Sequence, residues 1–249
     1  MTERRFIITG DYGIVCREFL PDDERVTGVI LGVHGFAGDK ESSVLRLLAE
    51  ELSKSGTALV CFDFPAHGES PAAEEGLTVK NCKKDLLAAA EYIRERYPNA
   101  KKSIFATSFG GYVSLLCRRE LSDFAFVLRA PAVTMPTVLL DTVLKISAED
   151  FRSAGYVDCG FERKISLPYG FFEELCCQED LLLEDFHLPM LIIHGDRDGV
   201  VPLFHILEFS ARHPEARLEV IEGADHRFKN PGETEKIVAL TRNYLSSLT

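Results

Sequence analysis

The sequence predicts an α/β fold: a mostly parallel sheet with helices on both faces. Three observations lead there. Short β-prone runs alternate with amphipathic stretches at helical spacing along most of the chain. Several runs are apolar at nearly every position, as strands covered on both faces are. The 249 residues are 46% hydrophobic and 27% charged, a globular balance in a chain long enough to bury roughly 70–75% of its unfolded surface. One domain over residues 1–249 is expected.

The elements follow in order. Residues 6–9 and 14–20 are β-prone runs separated by Gly10-Asp11-Tyr12-Gly13, which reads as a hairpin. Residues 26–33 form a third strand ending in His34-Gly35-Phe36. Residues 41–55 place Val44, Leu45, Leu47, Leu48 and Leu52 at helical spacing, and Gly56 stops that helix. Residues 57–64 form a fourth strand. Residues 80–97 form a helix with Leu86, Leu87, Ala90, Ile93 and Tyr97 on one face, ended by Pro98. Residues 103–107 form the fifth strand, 110–121 a helix and 124–128 the sixth strand. The alternation then breaks over residues 131–188, which hold two amphipathic stretches, 138–151 and 171–183, and a less periodic middle. It resumes with strand 190–194, helix 203–212, strand 217–221 and helix 233–248. In parallel sheets, ligands bind at the C-terminal strand edge. The insertion follows the sixth strand at that edge and is placed to act as a lid.

Composition excludes several classes. The net charge is −11, and no Lys/Arg-rich run supplies the footprint that nucleic acid or an anionic membrane surface requires. The apolar stretches of the first twenty residues are too broken for a signal-peptide core, and no apolar run is long enough to span a membrane. The seven cysteines, an odd number without Cys-x-x-Cys spacing, read as reduced, buried thiols in a cytoplasmic protein. No His/Cys/Asp/Glu group has metal-ligand spacing, so neither metal nor cofactor is expected.

Four loops carry residues suited to chemistry, and three of them also have an ordinary structural reading. Ala106-Thr107-Ser108-Phe109-Gly110-Gly111 joins a strand to a helix. A serine at such a turn, with small residues two places to either side, projects its hydroxyl above the sheet, and the following N–H faces a developing oxyanion. The alternative is a serine helix cap followed by packing glycines. His34-Gly35-Phe36 follows a buried strand, where the Phe36 N–H is the candidate second oxyanion donor; it also reads as a simple glycine turn. In His194-Gly195-Asp196-Arg197-Asp198, either Asp196 or Asp198 can orient a histidine, or serve as a turn or cap residue. His226, in Gly223-Ala224-Asp225-His226, lies in a polar loop. The other six histidines have plainer settings at strand ends, in a turn, or in and near helices. The order Ser108, Asp198, His226 is that of a Ser-Asp-His hydrolase site, each member at the C-terminal end of a predicted strand.

These strings, with Asp63-Phe64-Pro65-Ala66-His67-Gly68-Glu69-Ser70, resemble the α/β-hydrolase superfamily. The resemblance is strongest to its serine-aminopeptidase-like and monoacylglycerol-lipase-like branch, which includes small bacterial cinnamoyl and feruloyl esterases. It covers nearly the whole chain outside the insertion. It implies the α/β-hydrolase fold and a catalytic set of Ser108, Asp198 and His226, with the N–H groups of Phe36 and Phe109 as oxyanion donors. The acid four residues before Pro202 selects Asp198 over Asp196, and Asp63, Gly68 and Ser70 match a mainly structural pattern. Two positions depart from the family. Ala106 replaces the first elbow glycine. Arg129 stands where an apolar residue is usual; it can meet an anionic substrate group or pair with a local acid. The insertion offers Phe151, Tyr156, Phe161, Tyr169, Phe171 and Phe172, of which Tyr169 and Phe172, with Arg129, are the candidate substrate contacts. The implied activity is hydrolysis of small to medium acyl or aryl esters through an acyl-enzyme, with a small-molecule ester as partner. Peptide, thioester or C–C bond hydrolysis on the same residues, or ligand binding without catalysis, are the alternatives.

Overall fold

The computed structural model describes residues 1–23, 25–159, 164–178, 180–181 and 184–248. The order of elements is β1 (Thr2–Ile8), β2 (Ile14–Leu20), β3 (Gly28–Val33), α1 (Ser43–Leu52), β4 (Thr57–Phe62), α2 (Val79–Arg96), β5 (Lys101–Thr107), α3 (Phe109–Leu116) and β6 (Phe124–Arg129). The insertion follows, with α4 (Met135–Thr137), a π-helical stretch (Val138–Leu144), α5 (Ala148–Ala154), β7 (Tyr156–Cys159), β8 (Ile165–Pro168) and α6 (Tyr169–Cys176). The chain closes with β9 (Met190–Gly195), α7 (Leu203–Arg212), β10 (Ala216–Ile221) and α8 (Glu233–Ser247).

Among the described residues, eight strands form one sheet in the order β1-β2-β4-β3-β5-β6-β9-β10. β2 runs antiparallel to both β1 and β4, and every other pairing is parallel. Alternate residues of each central strand enter opposite cores, so Val29 and Leu31 face α2 and α3 while Ile30 faces α1 and α8. A strand apolar on both faces needs such double cover, which is why β3, β4 and the start of β9 read as apolar runs. The insertion packs into the same core as α2, α3 and α7, through Phe151, Leu167 and Phe171. β9 pairs with β6, so the chain returns after the insertion to the strand it left.

The structure differs from the sequence expectation at a few places. β1 begins at Thr2 rather than residue 6, because its charged start pairs across to β2, with Arg4 bound to Glu18 at 2.6 Å and Arg17 to Glu3 at 2.5 Å. An edge strand with one solvent face tolerates such charges. The amphipathic stretch 138–151 is two helices: Lys145 turns left-handed with φ 56°, and the Ser147 hydroxyl then accepts the Asp150 N–H to start α5. The less periodic middle of the insertion holds the β7–β8 hairpin. Part of the stretch 171–183, and Phe161, lie outside the described residues. Five cysteines are buried, but Cys176 and Cys177 at the end of α6 are exposed. Among the described residues no helix is long and apolar enough to cross a membrane, and no group of three metal-ligating side chains comes together.

Candidate functional site

The turn from β5 into α3 holds Ser108 at φ 50° and ψ −115°, a conformation that L-residues adopt at a cost of about 1–3 kcal/mol. Its N–H is tied to the Arg129 carbonyl of the neighbouring strand at 2.9 Å. The turn fits only because its flanks are small. A Cβ on Gly110 would stand 2.4 Å from the His34 carbonyl oxygen and 2.9 Å from Val33, and Ala106 is wholly buried. Although Ser108 is the residue before α3, its hydroxyl makes no helix-cap hydrogen bond. It lies 3.0 Å from Nε2 of His226 instead.

His226 comes from the loop after β10, and its Nδ1 is 2.7 Å from Oδ2 of Asp198, from the loop after β9. Burial alone would raise the Asp198 pKa, but the bond to His226 and the Val201 amide outweigh it and hold the carboxyl below its ordinary value. The carboxylate is therefore an acceptor only, so Nδ1 carries the proton and Nε2 is free to accept from Ser108. The other carboxylate oxygen accepts the N–H groups of Val200 at 2.9 Å and Val201 at 2.8 Å. The alternative acid, Asp196, is exposed and accepts the Gly223 N–H at 2.6 Å, which places it under the histidine loop rather than on the histidine. A Cβ on Gly195 would stand 2.2 Å from the Ala224 carbonyl, so a residue without a side chain is what lets the two loops meet.

The loop after β3 is held by two histidines that the sequence reading passed over. His34 accepts the Phe64 N–H at 3.0 Å on Nε2 and donates through Nδ1 to its neighbour Gly35 at 2.8 Å. Burial lowers its pKa and keeps it neutral. His67 accepts the Ala37 N–H at 2.9 Å and donates to the Pro65 carbonyl at 2.8 Å. The signal for His67 was its place in the 63–70 string, whose other members fold around Asp63. That carboxylate accepts from the Lys40 ammonium at 2.6 Å and from the amides of Lys40 and Glu69, each at 2.8 Å. Asp63 does not line the cavity described below.

The N–H groups of Phe36 and Phe109 donate to no other described residue. Phe109 opens α3, so its N–H carries the partial positive charge of a helix N-terminus. Its ring is wholly buried, edge-on to Phe64 at 5.7 Å and to Phe36 at 5.8 Å.

Ser108, His226, Phe36 and Arg129 line one cavity of about 430 Å³. Its apolar wall is Leu45, Val200 and the start of the insertion, namely Met135, Val138, Leu139 and Val143. Tyr169 and Phe172, expected at the substrate, do not line it. They pack against Phe151, Tyr169 edge-on at 5.3 Å and Phe172 tilted at 6.2 Å, and the Tyr169 hydroxyl accepts from Arg152. The reason is helical: the buried stripe of α6 is Phe171, Phe172 and Leu175, and it faces the core. Phe171 comes nearest the site, with its ring 6.1 Å from Phe36. The wall residues were legible only as an amphipathic stretch. Their cue was position, since the first turns after β6 leave the sheet beside Ser108.

Arg129 lines the cavity and pairs with no acid among the described residues. Its Nη2 donates to the Arg227 carbonyl at 2.7 Å, and the guanidinium lies 4.7 Å from the centre of the Phe228 ring.

Comparison with known proteins places this geometry. The chain is similar over 97% of its length to Est1E from Butyrivibrio proteoclasticus, solved with ferulic acid bound, at 22% identity and a TM-score of 0.83, covering 99% of that chain. Mouse alpha/beta hydrolase domain-containing protein 10 (19% identity, TM-score 0.77) is matched over 99% of this chain and 100% of its own. The esterase domain of a Rhodothermus marinus protein (17% identity, TM-score 0.76) is matched over 98% of both chains. No curated protein sequence matches the chain. The sequence model of the serine aminopeptidase S33 family (Hydrolase_4) matches residues 24–155, which include the His34 loop and Ser108 and end before Asp198 and His226. As that match spans more than half of the chain, this chain belongs to the serine aminopeptidase S33 family of α/β hydrolases.

Proposed function

We propose that the protein hydrolyses carboxylic esters of small to medium acyl or aryl acids, with Ser108 as nucleophile, His226 as base and Asp198 as its orienting acid. The observation that carries this reading is the continuous hydrogen-bonded chain from Ser108 Oγ through the His226 ring to Asp198 Oδ2, at 3.0 and 2.7 Å, opening into a cavity.

In the first half-reaction Ser108 Oγ attacks the ester carbonyl carbon while His226 Nε2 takes its proton. The carbonyl oxygen becomes an oxyanion beside the N–H groups of Phe36 and Phe109. Loss of one such donor typically costs about 2.7–4 kcal/mol of transition-state stabilisation. The C–O bond to the alcohol then breaks, and the imidazolium gives its proton to the departing oxygen. Asp198 stabilises the imidazolium and keeps the ring in the productive tautomer. In the second half, water attacks the acyl-enzyme, its proton passes to His226, and the acid leaves as Ser108 recovers its proton. The insertion supplies the apolar wall for the acyl or aryl group and acts as the lid. Est1E holds ferulic acid on this fold, which favours acids of aryl size in a cavity of about 430 Å³.

The test is labelling by a fluorophosphonate beside turnover of nitrophenyl esters of rising chain length, with a nitroanilide and a thioester for comparison. Wild type should label and turn over esters, and Ser108→Ala should do neither while keeping its circular dichroism and melting temperature. Turnover by Ser108→Ala would remove the serine from the mechanism. A well-folded wild type that does not label would make the protein a binder.

A further inference from the structure

Arg129 is the last residue of β6, and its own carbonyl accepts the Ser108 N–H at 2.9 Å. Its side chain thus leaves the backbone beside the nucleophile and lines the same cavity. Two other arginines with little exposure, Arg17 and Arg118, each contact a carboxylate, Glu3 and Glu184 respectively. Arg129 has no carboxylate within ion-pair distance among the described residues. It has a carbonyl, an aromatic face and a buried Nε without an acceptor. Burial draws its pKa down to about 10, against the more distant pull of Asp198 and Asp225, so the group is still cationic at neutral pH. Asp198 is committed to His226 and two amides. The carboxylate that lines the cavity, Asp39, accepts the Glu41 N–H at 2.9 Å.

Arg129 is half-buried with its Nε wholly out of water; a partly desolvated cation without a counter-ion carries a cost that is recovered when an anion enters. The planar guanidinium fork matches a carboxylate better than any other side chain does. We propose that Arg129 is a specificity residue that binds a carboxylate carried by the substrate, so that the preferred substrates are esters with a free acid group, such as half-esters of dicarboxylic acids. This rests on the ester-hydrolase reading of Ser108 and names the substrate class of that site. The rest of the wall suits such a molecule, since Met135, Val138, Leu139 and Val143 are apolar and give an alkyl or aryl spacer a dry surface.

The bond to the Arg227 carbonyl, next to His226, offers a different role, that of holding the histidine loop. The experiment separates the two. Matched nitrophenyl esters are compared in two arms. In one, the acyl chain ends in a carboxylate or in its methyl ester. In the other, the nitrophenol leaving group does or does not carry a carboxylate. Wild type should prefer the anionic member of one arm by about 10- to 100-fold in kcat/KM, the worth of a charged hydrogen bond, and the arm identifies which side of the ester carries the acid. Arg129→Met should bring that ratio close to one. No preference in either arm, or an Arg129→Met variant that slows charged and neutral esters equally, would overturn the proposal and leave Arg129 as a positioning residue. Calorimetry on Ser108→Ala needs neither turnover nor a change at Arg129. That protein should bind an ester bearing its free acid on the side the kinetics identify (monomethyl glutarate for the acyl side) at least about tenfold more tightly than the same ester with that acid methylated, and equal binding would equally overturn the proposal. Failure of the hydrolase reading shows separately, as a wild type that does not label with fluorophosphonate.

Discussion

Asp198 and Asp196 stand two residues apart on one loop and do different work. Asp198 is buried and holds His226, whereas Asp196 is exposed and holds the Gly223 amide. Asp198→Asn keeps the shape but offers an amide where the histidine N–H needs an anion, favouring the wrong tautomer. A loss of roughly 10⁴ in kcat is expected, as for the equivalent change in serine proteases. Asp196→Asn keeps a carbonyl oxygen for Gly223 and should cost only a few-fold. Stopped-flow and steady-state kinetics on both variants decide the matter, and the reverse ranking would move the acid to Asp196. Motif and order pointed to Ser108 and His226. The choice between the two aspartates needed the resemblance, because both fit a turn as well as a site. Arg129 could be singled out as a departure, but that it lacks an acid partner depends on side chains nearly a hundred residues away.

At the scale of elements, the β1–β2 turn is fastened to α2 by the Tyr12 hydroxyl, which donates to Asp85 at 3.0 Å. Burial raises the Asp85 pKa to about 7, against the opposing effect of the Tyr12 hydrogen bond. Between its ordinary value and pH 7 the native state therefore binds a proton that the unfolded chain has lost. Stability falls as pH rises through that window and levels off above it, by at most about 4 kcal/mol. Asp85→Asn keeps an acceptor for Tyr12 without the charge. It should exceed wild type in urea midpoint at pH 8, with the gap closing toward pH 4; parallel pH curves would refute this. The insertion's first turns set the depth of the cavity. Val143→Phe should shift the preference toward short acyl chains. Each excluded methylene forfeits about 0.8 kcal/mol of burial, so the octanoate-to-acetate ratio of kcat/KM should fall at least about tenfold. An unchanged ratio would put the acyl group elsewhere. The elements were legible where periodicity is strong, as in α2 and α7. The insertion was not, because the split at Lys145 and the pairing of β7 with β8 are set by turns and contacts rather than by a sustained period.

At the scale of the whole molecule, two apolar cores share one sheet, and the strands before and after the insertion are neighbours in it. Removing β9 and β10 would expose β6 and one side of each core. We therefore expect the chain to unfold as one cooperative unit. Loss of fluorophosphonate labelling and loss of far-UV circular dichroism should coincide along a urea titration, and separate midpoints would divide the chain.

Local information pointed to the α/β class, to a mostly parallel sheet and to Ser108 and His226 as the candidate serine and histidine. Strand burial, helical period and tight-turn chemistry are all written within a few residues of one another. The tertiary structure alone decided that His34 and His67 brace the Phe36 loop, that Tyr169 and Phe172 turn away from the cavity, and that Arg129 has no acid within ion-pair distance among the described residues. Each of these depends on which distant side chains come within hydrogen-bonding or van der Waals distance, a property of the packed sheet and its loops that no local pattern encodes.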